Sequence, residues 1–114
     1  MRSLILGILL FIFGQSLIWI QTNGQFVWPW FKKNPWPVSI IFGSIISYIL
    51  IHATTYVVEY FDGTLWPGRF IGFSTGILAF SILTYAFMGE GITIKTGISL
   101  ALSLALILIQ LLWK

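Results

Sequence analysis

The chain has 114 residues, 58% of them hydrophobic and 8% charged, with a formal charge of +3 and a mean hydropathy of +0.97. Soluble domains carry roughly 25% charged residues, so this composition excludes a water-covered globule and implies an integral membrane protein built as a single domain, 1–114. There is no cysteine, which excludes disulfides, thiolate metal sites and thiol nucleophiles, and six basic residues are too few to imply a nucleic-acid partner.

The chain opens Met1-Arg2-Ser3 and runs directly into an apolar stretch. That start resembles a signal peptide, but no small-x-small cleavage site follows Ile20, so the segment is expected to be a retained first helix. A membrane span needs about 20 mostly apolar residues to cross about 30 Å of hydrocarbon. Four segments qualify, 3–20, 38–58, 68–88 and 92–113. None alternates with period two, and backbone polar groups cannot stay unpaired in lipid, so the expected fold is all-α with four transmembrane helices.

The connection 21–37 holds Trp28, Trp30 and Trp36 among Pro29, Pro35 and Pro37. It reads as an interfacial belt in which Trp sits at headgroup level and Pro interrupts helix; the alternative is an aromatic box for a cation. Trp19, Trp66 and Trp113 also fall at expected helix ends, and Lys32 and Lys33 fit contact with lipid phosphates. The turn 89–91 is so short that the last two helices must form an antiparallel hairpin.

An even number of spans places Arg2, Arg69 and Lys114 on one membrane face and Lys32, Lys33 and Lys95 on the other. This balance leaves almost no positive-inside bias. The reading drawn from it is insertion in both orientations and antiparallel pairing into a homodimer, against a fixed orientation set by other factors.

The third span carries Gly68, Gly72 and Gly76 at four-residue spacing, and the fourth carries Gly97, Ala101 and Ala105. Such stripes let helix backbones approach closely, here within the hairpin or across a dimer. Polar groups at membrane depth are candidates for a pathway. On the second span Tyr48, His52, Thr55, Tyr56 and Glu59 recur on one helical face. They line a cavity in one reading and make interhelical hydrogen bonds in the other. Histidine is the residue type that exchanges protons near neutral pH, and a lone His makes no metal site. The carboxylates Glu59, Asp62 and Glu90 all fall near expected interfaces. No nucleophile stands at a defined spacing from a base, so neither catalysis nor a cofactor is expected.

The layout and the hairpin Ser81 to Lys114, with the turn Phe87-Met88-Gly89-Glu90, resemble the small multidrug-resistance branch of the drug/metabolite transporter superfamily. Gly63-Thr64, ahead of Gly68, is similar to the Gly-Thr that precedes the third helix of that family. The resemblance implies an antiparallel homodimer in a bacterial-type inner or plasma membrane. Drug exporters of the family place a glutamate near the middle of the first helix; here Gln15 stands at or beside that position and cannot titrate. The expected function is therefore transport of a small amphipathic or uncharged solute, its identity unknown, rather than proton-coupled export of a cation. Gln15, Ser16, Trp19, Tyr48, His52, Tyr56 and Glu59 are the candidate cavity residues. The alternatives are an accessory subunit of a larger membrane complex and, less favoured, a small dual-topology ion channel.

Overall fold

A computed structural model describes residues 1–113; Lys114, assigned above to one face by charge counting, lies outside the described residues. The first span is helix α1, Arg2–Asn23. A 3₁₀ turn at Gly24–Phe26 and a short helix α2, Pro29–Lys33, follow. The remaining spans are α3, Pro35–Tyr60, α4, Trp66–Met88, and α5, Ile94–Leu112. All four long helices have the length and apolarity to cross a membrane. The protein is thus an all-helical membrane chain, a small multi-pass protein in its architecture.

The connection between the first two spans is more helical than its prolines suggest. Pro29 opens α2 and Pro35 opens α3, positions where the missing N–H is one that a helix leaves unpaired anyway. Proline here starts helices rather than interrupting them, which lengthens the second span at its N-terminal end. Aromatic rings tie the connection down: Trp28 lies 5.4 Å from Phe31 and 5.6 Å from Phe87 of α4. Phe31 covers Gly24, where a Cβ would come within 2.8 Å of its ring. Trp30 and Trp36 stay exposed, as headgroup-level residues would. After α3 the chain reverses through Asp62 at φ 56° and Gly63 at φ 89°, and α4 ends on left-handed Gly89 at φ 70°. Thr93 then caps α5, its hydroxyl accepting the Thr96 N–H at 3.2 Å.

α1 is the central element, packed against both α3 and α4, while α5 packs mainly on α4. The core comprises Leu4, Phe11, Ala53, Val57 and Ile71, contributed by α1, α3 and α4. Two glycines of α1 allow this approach to α3. A Cβ at Gly7 would meet Val57 at 2.6 Å, and one at Gly14 would meet Leu50 at 3.0 Å. α5 is the outlier: Ser103 is its one buried residue among those described, and its backbone carbonyl accepts the Ser74 hydroxyl of α4 at 2.9 Å. The molecule spans 47 × 36 × 19 Å, a slab less than two helix diameters thick.

Candidate functional site

Three helices line an open groove of about 520 Å³, within the size range of small-molecule sites. α1 contributes Phe11 and Gln15, one turn apart, and α3 contributes Leu50 and Thr54, likewise one turn apart. From α4 come Arg69, Phe73 and Ile77, again one turn apart, with Gly68, Gly72 and Gly76 as the floor. Each helix presents one face, because residues four apart lie nearly above one another on an α-helix.

The glycine series of α4 is what admits α1. A Cβ at Gly72 would stand 3.1 Å from the Phe11 ring, and one at Gly76 would stand 2.9 Å from Gln15 Oε1. The absence of a side chain at 76 thus makes room for the amide. Gln15 Nε2 donates to the Gly72 carbonyl at 3.2 Å, and that carbonyl also accepts the Thr75 hydroxyl at 3.0 Å. An amide in hydrocarbon is costly when unpaired, and this interhelical bond offsets part of that cost. The groove carries one formal charge, the Arg69 guanidinium, and no carboxylate is among its described lining residues.

The other candidate residues lie elsewhere. Ser16 donates to its own helix at Ile12 O, 2.8 Å, and does not line the groove. Trp19 is buried at 2% exposure; its indole N–H donates to Thr84 of α4 at 2.9 Å and its ring stacks 5.6 Å from Phe87. It fastens α1 to α4 beside a smaller cavity of about 260 Å³. Tyr48, His52, Thr55 and Glu59 share the exposed side of α3, with Tyr56 half-buried beside them. Tyr48 and His52 pack edge to face at 4.6 Å, and Thr55 donates to Ile51 O at 3.0 Å. Within one chain the His52 strip therefore points away from Gln15 and does not join the groove. Gly68 lies 3.7 Å, by its would-be Cβ, from Val57 of α3; Gly97 approaches no neighbouring helix, Ala101 is exposed and Ala105 is half-buried.

Sequence reasoning missed Thr54 and Arg69 as groove residues and Gly7 and Gly14 as packing residues. Thr54 stands next to Thr55 and both are exposed; adjacent helical residues point about 100° apart, so only the placement of α1 and α4 shows that Thr54 lines the groove. Arg69 was legible as a topology charge, yet its four-residue spacing to Phe73 and Ile77 also marks one face. No protein-family model, curated protein or solved structure matches this chain. The fold and the groove define the class as a small membrane protein with four helices long and apolar enough to span.

Proposed function

We propose that the chain is a small transporter, working as an antiparallel homodimer and moving a small amphipathic or uncharged solute through the groove between α1, α3 and α4. The observation that carries this reading is the groove itself: a ligand-sized space flanked by the paired Gln15 amide, in a segment of membrane-spanning length. Polar residues at membrane depth mark substrate pathways by default. Glutamine binds and orients but releases no proton, so the groove suits solutes that need no proton exchange at that position.

Two features support a second copy. A polar strip bearing His52 is unfavourable against lipid tails, and pairing would cover it. An antiparallel pair also supplies the inverted repeat on which alternating access rests. The balanced basic residues fit insertion both ways.

The test uses purified protein in proteoliposomes loaded with a panel of labelled neutral and amphipathic solutes, with Gln15→Leu as the variant that removes the amide. Protein-dependent flux should fall at least about tenfold in Gln15→Leu, while cross-linking still reports the dimer. Flux unchanged by the substitution rejects the role of Gln15, and absence of flux for the whole panel rejects transport of those classes. The exposed length of α5 favours a second reading, an accessory subunit seated against a larger complex. In native membranes, that subunit cross-links to other chains and adopts one orientation.

A further inference from the structure

We infer that the groove between α1, α3 and α4 holds an amphiphile with an anionic head, whose phosphate or carboxylate pairs with the Arg69 guanidinium while its tail lies along Phe73 and Ile77. The inference rests on the transport reading for its consequence, selection of cargo, but the binding itself is separately measurable.

Charge complementarity selects the head. Arg69 is the groove's one charged group among the described residues, and no lining carboxylate competes for it. A cationic head would meet the like charge of the guanidinium and be repelled by it. An anionic head meets a planar fork of donors that matches two oxygens of a phosphate or carboxylate. The Thr54 hydroxyl on the facing wall adds a neutral hydrogen-bonding group that tolerates either oxygen type.

Position selects the tail. Arg69 is the fourth residue of α4, so it lies within the first turn, at the level where a membrane helix meets headgroups. Phe73 and Ile77 follow at one-turn intervals, which carries the apolar wall about 12 Å deeper at 1.5 Å per residue. A molecule with its charge at the interface and its apolar part running inward matches that order; a free small anion leaves the inner wall unoccupied. An interfacial arginine on a lipid-facing side would merely snorkel to surrounding headgroups. Arg69 is exposed, but it lies at the open mouth of the groove and shares its helix face with the floor residues Gly72 and Gly76.

The experiment measures equilibrium binding of radiolabelled dodecyl phosphate, dodecyltrimethylammonium and dodecanol to the full chain in phosphatidylcholine nanodiscs. Dodecyl phosphate should bind at least about tenfold more tightly than either other probe. Arg69→Gln should remove that preference, Arg69→Lys should retain part of it, and Arg2→Gln, which does not line the groove, should leave it intact. Equal binding of the three probes, or an undiminished preference in Arg69→Gln, overturns the inference. Should Arg69→Gln fail to fold, the wild-type selectivity still decides. Displacement of dodecyl phosphate by an equal concentration of inorganic phosphate would show a free-anion site and overturn the amphiphile. Flux in proteoliposomes separates the two readings. Selective binding without flux removes transport and leaves this site standing, whereas flux of neutral solutes with no anionic preference removes this site alone.

Discussion

At the scale of single residues, the contacts of α1 decide how tightly the core closes. Adding a methyl at Gly7 would place it 2.6 Å from Val57, a fully buried side chain, and 3.2 Å from the Ala53 carbonyl oxygen. Neither neighbour has room to withdraw. Gly7→Ala should therefore destabilise the chain by about 1–3 kcal/mol through overpacking. Gly97 is the control, since its nearest neighbour would be Ile92 at 3.8 Å, ordinary contact. Gly97→Ala should be neutral or stabilising by up to about 1 kcal/mol through helix propensity. Unfolding titrations in mixed detergent micelles would compare the two, and equal stabilities would refute the packing argument. A further expectation concerns Trp19→Phe, which leaves the Thr84 hydroxyl without its buried donor. The loss of that bond should cost about 0.6 kcal/mol, the average for interhelical hydrogen bonds in membranes, and no more than about 1.7 kcal/mol, with the Trp19–Phe87 stacking largely kept. The Gly68, Gly72 and Gly76 series was readable from its four-residue spacing, but the Gly7 and Gly14 pair was not. Seven residues separate them, and what they accommodate belongs to α3.

At the scale of elements, α5 is held by its packing on α4, by Leu111 against the core, by the Ser74–Ser103 bond and by the turn that leads to it. Gly89 sits at φ 70° with open space around it, so a side chain there meets backbone strain rather than a clash. Gly89→Ala should cost about 1–2 kcal/mol and loosen α5 from α4. Spin labels placed on the exposed faces of the two helices would report this as a broadened distance distribution, and an unchanged distribution would show that α5 is held from elsewhere. The hairpin was legible because the connection is short, although it runs over five residues, 89–93, rather than the three expected, since Thr93 caps α5 and delays its start to Ile94. The boundary of α3 was misjudged by the same residues that were quoted to set it: Pro35 and Pro37 stand in its first turn, where a helix has no use for their missing N–H groups.

At the scale of the whole molecule, a slab 19 Å thick leaves large apolar side chains exposed on all four long helices. Lipid satisfies such surfaces, but it does not satisfy the His52 strip, and this asymmetry directs the proposed pairing to α3. The charge balance yields a prediction about orientation. C-terminal reporters active on opposite sides of the membrane should both give signal for the natural sequence. Replacing Lys32 and Lys33 by Ala leaves Lys95 alone on its face against three basic residues on the other. That variant should collapse to one orientation with its termini on the cytoplasmic side. Signal from a single side for the unmodified chain would remove dual insertion and, with it, the antiparallel pair.

Composition and apolar run length by themselves determined that this chain is a four-helix membrane protein, because hydrocarbon tolerates only segments that satisfy their own backbone and hide few charges. They also marked Gln15 as a residue needing a partner. Which partner it takes, the Gly72 carbonyl over a floor opened by Gly76, was decided only in three dimensions. The same holds for the separation of Gln15 from His52 and for the entry of Thr54 and Arg69 into one groove. Periodicity tells which residues share a face of one helix, but lipid and protein interiors are equally apolar. A membrane helix therefore carries no strong signal for which face turns inward, and that choice is made by the fit of one helix against the next.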